Sequence, residues 1–303
     1  MINLIWKFLN KEKYRNIKNE NKKKKLLDFY KLHIRHKIIK NIEIIKNKDE
    51  LNFVHSGHLG DIINSFSVVQ EIAKSHKCNF YIRTNKKMKV KYHNHPAENV
   101  YIDERMANLL LPLLKNQSFI NKYGIYTNEN VDLDLDFFRE VPIDIRFHAT
   151  RWYMHLTGIH ADMNLPYLDS SQHDTITNKI IIVRSPRYRN DFINYDFLNN
   201  IEDKILCIGL RQEYEDLKKN IKHIEFYDCK DFLELSQIIK SCRLFIGNES
   251  FAYAIAEGLK VPRLLEASPD YPVVFPIGNN GYDFYHQIHF ERLFKKLYEE
   301  TKN

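Results

Sequence analysis

Residues 243–269, RLFIGNESFAYAIAEGLKVPRLLEASP, decide the fold of this chain. The apolar run at 244–246 is too short for a helix and is bounded by turn signals, so it predicts a buried strand. Ser250 is a natural N-cap for a helix of small residues over 251–257. A second apolar run follows a proline and predicts another strand at 263–266. The stretch is therefore typical of a strand–turn–helix–strand unit in a parallel α/β sheet.

The turn of this unit is a candidate phosphate or nucleotide site. In parallel α/β sheets, ligands lie at the carboxyl ends of strands, where the free N–H groups of the following helix favour an anion. Gly247, Asn248 and Glu249 occupy that position, directly before the capping residue Ser250. An ordinary βαβ unit without a ligand is the alternative interpretation of the same residues.

Length and composition indicate a globular protein. The chain has 303 residues, of which 44% are apolar and 13% aromatic, and such a length predicts two domains of about 100–150 residues each. Its four cysteines lie far apart without metal-ligand spacing, which favours reduced thiols in a cytosolic protein. No apolar run approaches the length of a membrane span and no signal-peptide core is visible, so we expect a cytoplasmic protein.

The positive charge is concentrated in the first 50 residues. They carry 15 Lys or Arg against six Asp or Glu, a net +9, whereas the whole chain carries +7. Residues 1–47 contain no Gly or Pro and predict a basic helical segment with an apolar cap at 2–9. This pattern is typical of attachment to an anionic membrane surface, and a solvated extension packed on the body is the alternative. The nearly neutral body argues against nucleic acid as a partner.

The rest of the sequence alternates strands and helices in two series separated by a polar linker at 166–178. The first series predicts strands at 52–55, 78–84, 99–103 and 143–147, with helices starting at Asp61 as N-cap and covering 106–115 and 150–158. The second predicts strands at 179–184, 204–209, 222–227, 244–247 and 263–267, with helices at 192–201, 212–220, 232–241, 251–258 and 288–300. We therefore expect an extension over 1–48 and Rossmann-like domains over 49–172 and 173–303.

Two loops carry a resemblance to a known family. The sequence HSGHLGD at 55–61 resembles the glycine-rich loop that opens the ADP-heptose:lipopolysaccharide heptosyltransferase family, including its Gly-Asp pair at Gly60-Asp61. Residues 247–262 resemble the donor motif of the same family without a gap. The matching positions are Gly247, Asn248, Ser250, the small residue Ala256, and Pro262. The departures from the family's usual residues are Glu249, Phe251, Tyr253 and Lys260.

This resemblance implies an α/β protein of the GT-B fold. In that fold two Rossmann-like domains face each other across a cleft, with the acceptor against the N-terminal half and the donor in the C-terminal half. It further implies an inverting, metal-independent transfer of a sugar from a nucleotide diphosphate sugar to a glycan or lipid-linked acceptor. Synthesis of a cell-surface polysaccharide or lipopolysaccharide is the setting of such enzymes. No cofactor is implied beyond the nucleotide sugar itself.

The resemblance also implies roles for individual residues. Asp61 matches the family's aspartate and is the candidate base that takes the proton of the acceptor hydroxyl. The surrounding acceptor loop contains His55, Gly57, His58 and Gly60. Three arginines follow the first strand of the second half and suit a diphosphate, because a guanidinium is always charged and binds in a bidentate manner. The expected donor-binding residues are Arg184, Arg187, Arg189, Gly247, Asn248, Glu249, Ser250 and Tyr253.

Three alternatives stay open in the sequence. Glu249 and Glu257 have the spacing of the glutamates in retaining GT-B enzymes, where the second contacts the nucleotide ribose. The run at 132–136, DLDLD, offers a D-x-D pair that would hold a divalent metal in an enzyme of another fold, or an edge strand or turn. Finally, the departures at Phe251 and Tyr253 are compatible with a GT-B-like protein that binds a nucleotide or sugar without catalysis.

Overall fold

A basic helical segment precedes the body of the protein. The computed structural model describes residues 7, 9–88, 97–140, 148–268 and 273–301, so most of the apolar cap predicted at 2–9 lies outside the described residues. Helix α1 (Lys11–Phe29) begins at the N-cap Asn10 and contains no buried residue. A π-helical turn (Tyr30–Ile34) joins it to helix α2 (Arg35–Asn47). From Lys11 to Asn47 the predicted helical character of this segment is confirmed.

Within the described residues, the first half contains a four-stranded sheet in which every neighbouring pair is parallel. Its spatial order is β3-β2-β1-β4. The strands are β1 (Glu50–His55), β2 (Lys77–Ile82), β3 (Lys122–Ile125) and β4 (Leu133–Asp134). The helices are α3 (Leu59–Ala73), α4 (Glu104–Lys115) and α5 (Ala149–Thr157). A 3-10 segment (Leu135–Glu140) continues directly from β4.

Several first-half predictions need correction. The prediction of a strand at 99–103 is wrong, because among the described residues this segment forms only a single bridge, between Val100 and Lys87, and Asp103 caps helix α4. Helix α3 begins at Leu59 with His58 as its N-cap, so Asp61 lies in the first turn and is not the capping residue. The strand predicted at 143–147 lies outside the described residues.

The second half contains a six-stranded parallel sheet with the order β10-β9-β8-β5-β6-β7. The strands are β5 (Ile180–Val183), β6 (Ile205–Cys207), β7 (Ile224–Phe226), β8 (Leu244–Asn248), β9 (Arg263–Glu266) and β10 (Gly281–Phe284). The helices are α6 (Arg211–Lys218), α7 (Phe232–Lys240), α8 (Phe251–Leu259) and α9 (Gln287–Glu300). The five predicted strands are confirmed. The helix predicted at 192–201 is instead a short 3-10 turn (Asp196–Asn200).

The two halves share a hydrophobic core. Successive side chains of a strand point to opposite faces of the sheet, and in β5 Ile181 and Val183 pack into the core that also contains first-half residues. Ile180 and Ile182 point the other way, into a separate core that contains residues of α9. Burying each of these aliphatic side chains contributes about 1.5–3 kcal/mol. The cleft therefore lies between halves that are packed together.

Helices α3 and α8 pack against each other where the halves meet. A Cβ placed on Gly60 would lie 3.8 Å from the Cβ of Ala254, and one on Gly258 would lie 3.5 Å from a methyl of Ile63. These small residues let the two helices approach closely. Among the helices of the described residues, none has both the length and the apolar character needed to cross a bilayer.

Each sheet has one point where the chain reverses the direction in which strands are added. In the first sheet this switch point lies between β1 and β4, and in the second between β5 and β8. Loops at the carboxyl ends of strands diverge at such a point and leave a crevice, which is where α/β proteins bind ligands. The loops after β1, β4, β5 and β8 are therefore the places where functional side chains are expected.

Candidate active site

The loop after β1 is shaped from beneath by His55. Its buried ring accepts a hydrogen bond at Nδ1 from the N–H of Gly57 (2.9 Å), so Nε2 carries the proton and donates to Tyr153 Oη (2.9 Å). Burial lowers the pKa of His55 to about 3, which keeps the ring neutral. His55 is therefore a structural residue under the loop, and its predicted place among the acceptor contacts is corrected.

Gly57 is required by close packing inside the loop. A Cβ at this position would lie 2.6 Å from His55 Cε1 and 2.9 Å from a terminal nitrogen of Arg139. His58 and Gly60, by contrast, line the cleft. The ring of His58 packs edge-on against Tyr101, with ring centroids 5.0 Å apart. Of the predicted acceptor loop, the structure thus brings these two residues to the cleft.

Asp61 lies in the first turn of α3 and forms an ion pair with Arg139 Nη2. Arg139 comes from the 3-10 segment after β4, the strand on the other side of the first switch point. Its Nε donates to Asp136 Oδ1 at 2.6 Å. Asp136 is buried and also accepts from Ser56 Oγ (2.9 Å) and Lys86 Nζ (2.6 Å). A continuous chain of charged groups therefore runs from the cleft into the protein.

The oppositely charged groups of this network shift each other's pKa values toward the ionised forms. Burial raises the pKa of Asp61 above its ordinary value, and the Arg139 guanidinium acts in the opposite direction. Burial lowers the pKa of Arg139, but the Asp61 and Asp136 carboxylates outweigh it and raise that pKa. Sequence reasoning missed Arg139, and it considered Asp136 only as part of a D-x-D pair. The signal was their place after β4, next to β1, which the two-residue length of β4 hides from a strand pattern.

The run at 132–136 has roles other than metal binding in this structure. Asp132 pairs with Lys48 and accepts from the N–H of Asn52 (2.9 Å). Asp134 accepts from the N–H of Asp136 (3.0 Å) and pairs with an arginine. Within the described residues, no group of three or more metal-ligating side chains converges. The first of these carboxylates therefore ties the body to the loop before β1, and the others order the 3-10 segment.

Two residues of the donor motif stabilise the loop. Asn248 is fully buried, and its side chain accepts from the N–H of Ser185 (2.8 Å) and donates to the carbonyl of Ser185 (2.7 Å). Gly247 is packed so tightly that a Cβ would lie 2.7 Å from the Val183 carbonyl. The motif thus joins the end of β8 to the loop after β5. Neither residue lines the cleft, so their predicted donor contacts are corrected to a structural role in the loop.

The other positions of the motif divide between cleft and core. Ser250 caps α8 by accepting a hydrogen bond from the N–H of Tyr253 (3.2 Å), as predicted, and it also lines the cleft. Tyr253 itself is completely buried in the shared core, so its predicted donor contact is wrong. Phe251, the departure from the family pattern, lines the cleft and packs on Phe232 with ring centroids 4.7 Å apart.

The three arginines after β5 have different surroundings. Arg184 forms a bidentate pair with buried Glu266, at 2.7 and 2.8 Å. Arg189 pairs with Asp216 at 3.0 Å. Arg187 lines the cleft, where its guanidinium lies 5.5 Å from the ring centre of Tyr188. The predicted clamp of three arginines is thereby corrected to one candidate, because the other two cations neutralise carboxylates of the protein.

The two motif glutamates also differ. Glu249 lines the cleft with 6% of its surface exposed, and burial raises its pKa to about 8. No hydrogen bond to its carboxyl group is found within the part of the chain that the structure describes. Glu257 is buried and pairs with Arg263 and Lys260. Glu257 therefore has a structural role and does not line the cleft, in contrast to what the retaining pattern predicts for its second glutamate.

The cleft brings the two switch points together. The first half contributes His58, Gly60, Asp61 and Arg139, and the second half contributes Arg187, Glu249 and Ser250. Its wall is aromatic, formed by Tyr101, Phe138, Trp152, Tyr188 and Phe251. Acidic, basic and aromatic groups from both halves therefore face one space.

Comparisons with known proteins found similarity in solved structures. No family model matched the sequence, and no curated protein did. The structure is similar to the glycosyl transferase family 9 protein from Veillonella parvula, at 11% identity and a TM-score of 0.52, over 83% of this chain and 89% of that one. It is similar to E. coli heptosyltransferase WaaC with ADP, at 10% identity and a TM-score of 0.53, over 83% of this chain and 99% of that one. It is also similar to E. coli ADP-heptose lps heptosyltransferase II, at 10% identity and a TM-score of 0.50, over 84% of this chain and 100% of that one.

These similarities confirm the predicted fold class. The chain is an α/β protein of the GT-B fold, and its structural relatives belong to the family that its two loops resemble. The boundaries predicted at residues 48 and 172 stay predictions.

Proposed function

We propose that this protein is a glycosyltransferase that uses a nucleotide diphosphate sugar. The observation that carries the proposal is the pairing of Asp61 with Arg139 on one wall of the cleft, opposite Arg187 and the capped start of α8. One structural relative was solved with ADP, and another is named for ADP-heptose, which supports a nucleotide diphosphate donor. The transfer proceeds with inversion and without a metal or other cofactor.

The proposed reaction is a direct displacement at the anomeric carbon of the donor sugar. The acceptor hydroxyl gives its proton to the Asp61 carboxylate as its oxygen forms the new bond, and the bond from the sugar to the diphosphate breaks. Negative charge then accumulates on the leaving diphosphate. In the proposed reaction, Arg187 and the N–H groups at the start of α8, which border the cleft, stabilise that charge.

The aromatic wall of the first half supports a glycan or lipid-linked acceptor. Phe138 and Trp152 are stacked with centroids 4.6 Å apart, and the His58–Tyr101 pair lines the same cleft as Asp61. Pockets lined by aromatic surfaces with a few placed polar groups bind ligands that have both apolar faces and hydroxyls. Sugar rings are such ligands, and here they would lie beside the base.

The basic segment over residues 1–47 supports peripheral attachment to an anionic membrane surface. Helix α1 carries eight Lys or Arg against three Asp or Glu, and none of its residues is buried. Leu9, Leu27 and Leu32 are at least half exposed, at 73%, 50% and 68%. Cations with exposed apolar side chains bind anionic bilayers. We propose attachment at the cytoplasmic face, where a lipid-linked acceptor would be found.

The substitution Asp61→Asn tests the proposed reaction. We expect kcat to fall by about 100-fold or more, since a general base contributes on that order, while the nucleotide dissociation constant changes less than about twofold. The measurement is turnover of a panel of nucleotide sugars and glycan acceptors, together with calorimetric titration of nucleoside diphosphates. Asp162→Asn is the control, because that carboxylate is exposed and bonds only to Asn164 among described residues.

Two results would count against the proposal. If the wild-type protein binds nucleoside diphosphates but transfers no sugar from the panel, the protein is a nucleotide-binding member of the fold without catalysis. If wild-type turnover is present and Asp61→Asn retains it, another group is the base.

A further inference from the structure

Arg139 connects two carboxylates of different kinds. Its Nη2 donates to Asp61, at the cleft, and its Nε donates to Asp136, which is completely enclosed. The two donors belong to one planar guanidinium, so the distance and angle between the carboxylates are fixed by a rigid group. A lysine has a single ammonium at this place and could not reproduce that geometry.

The guanidinium is itself held by its surroundings. Its side chain is 15% exposed. The ring centroids of Tyr101 and Phe138 lie 4.3 and 4.7 Å from its central carbon, Cζ. Aromatic faces attract a cation and restrict its rotation. The 3-10 segment that carries Arg139 and two rings of the cleft wall therefore restrict the orientation of its guanidinium.

Asp136 fixes the far end of this arrangement. It accepts from Ser56 Oγ at 2.9 Å, after β1, and from Lys86 Nζ at 2.6 Å, in the loop after β2. Three strands of the first sheet thus contribute to the position of one buried carboxylate. Because Arg139 bonds to both carboxylates, the position of Asp136 also fixes that of Asp61.

We propose that Arg139 is a positioning residue for Asp61, anchored by Asp136, which orients the base and keeps it ionised in the cleft. This inference rests on the proposed function, in which Asp61 accepts the proton of the acceptor hydroxyl. Arg139 acts through Asp61 and takes no part in the bond changes.

The other groups around Asp61 do not supply the positive charge that the Arg139 guanidinium provides. On its own helix the N–H of His58 bonds to the carboxylate. From β1 comes His55, whose pKa of about 3 makes it neutral, and from α5 comes Tyr153, whose pKa is raised by burial. Across the cleft lie Glu249, with a pKa raised to about 8 by burial, and Arg187, for which no ion pair to Asp61 is found among the described residues.

Two further charges complete the surroundings. The Asp136 carboxylate raises the pKa of Asp61, in the same direction as burial. The Lys86 ammonium is bound to that carboxylate rather than to Asp61. Without Arg139, burial and Asp136 both act to protonate Asp61. A protonated carboxyl cannot accept the proton of the acceptor, so activity would be lost at low pH and recovered as the pH rises.

The test is the pH profile of three variants. In Arg139→Met we expect the acidic limb of kcat/KM to move up by about one pH unit or more, and kcat at pH 7 to fall about tenfold. The donor KM should change less than about twofold, because the residue acts on the base. In Arg139→Lys the limb should return toward wild type while kcat stays low. Arg243→Met is the control: Arg243 is a buried cation paired with Asp203 on the opposite side of the second half, at 2.9 Å.

Carboxyl ¹³C NMR titration of Asp61 provides a readout independent of turnover. The signal is assigned by its loss in Asp61→Asn, and its midpoint should rise in Arg139→Met and stay unchanged in Arg243→Met. The inference is overturned if that midpoint and the acidic limb stay at their wild-type values in Arg139→Met, or if Arg243→Met shifts them equally. Should Arg139→Met not fold, a wild-type kcat in Arg139→Lys would overturn the inference instead. An inactive wild-type protein counts against the proposed function, whereas the titration decides the positioning role separately.

Discussion

Arg184 and Arg187 lie three positions apart, and the same substitution should affect them differently. Arg184→Met leaves the fully buried Glu266 without its cation, which costs about 3–5 kcal/mol of unfolding free energy when one partner of a buried pair is removed. Arg187→Met removes a cation that lines the cleft, so we expect nucleoside diphosphate affinity to fall about tenfold with little change in stability. Denaturant unfolding and calorimetric titration measure the two effects.

Each arginine variant is the control for the other. If Arg187→Met binds nucleoside diphosphates as tightly as wild type, the remaining candidate of the predicted clamp is lost. If Arg184→Met unfolds at the wild-type denaturant concentration, the pair with Glu266 does not stabilise the fold.

Residue roles could be predicted only where the motif itself decides them. Ser250 caps α8 as the sequence predicts, because the choice depends on local backbone chemistry. Asn248 and Tyr253 belong to the same motif, yet their side chains face Ser185 and the shared core. Arg139 is seventy-eight positions from Asp61 and meets it only because β4 lies beside β1. Contacts of that kind depend on strand order, which no local pattern contains.

At the scale of single elements, the loop between β1 and α3 should be intolerant of any side chain at Gly57. We expect Gly57→Ala to lower the unfolding free energy by about 1–3 kcal/mol, because its Cβ would overlap the buried ring of His55 and the Arg139 guanidinium. Turnover should fall as well, since the same overlap displaces the partner of Asp61. Thermal and denaturant unfolding together with turnover measure both.

Gly124 in β3 provides the matched control. A Cβ at this position meets no atom within 4 Å, so Gly124→Ala should be neutral or stabilise by about 0.4–1 kcal/mol through the unfolded chain. Equal destabilisation by the two alanines would mean that the loop has room for a methyl group.

Whether an element could be predicted depended on where it lies in its sheet. The central strands β5 and β8 are buried throughout and form continuous apolar runs, which a sequence shows clearly. Strands β3 and β10 lie at sheet edges, with exposed or half-buried residues such as Lys122 and Asp283, and their sequences KYGI and GYDF look like turns. The opposite error occurred at 99–103, where a strand was predicted but does not form. The apolar residues of this segment are buried by packing outside the sheet.

At the scale of the whole molecule, the basic segment should decide where the protein is found. Replacing Lys22–Lys25 by glutamine should reduce binding to vesicles containing anionic phosphatidylglycerol by at least about tenfold, since each lysine near such a surface contributes about 1 kcal/mol. The four side chains are exposed on α1, so stability should not change. Co-sedimentation with full-length protein at several salt concentrations is the measurement.

Four exposed lysines of the second half provide the control for this variant: Lys218, Lys219, Lys222 and Lys230. Their replacement by glutamine should leave vesicle binding unchanged. Phosphatidylcholine vesicles should bind neither the wild-type protein nor either variant. Undiminished binding by the α1 variant would exclude this helix as the attachment site. Retention on RNA in place of anionic vesicles would point to nucleic acid.

If one half were to rotate against the other, the close packing of α3 on α8 would make this contact the pivot. Gly60, which faces Ala254, directly precedes Asp61, and Ser250 begins the helix that carries Ala254. When two rigid arms rotate about a point, displacement grows with distance from that point. Such a rotation would widen the rim while hardly changing the separation between Asp61 and the start of α8. Under the proposed function, substrates would then enter and leave at the rim while the proposed base keeps its alignment with the donor loop.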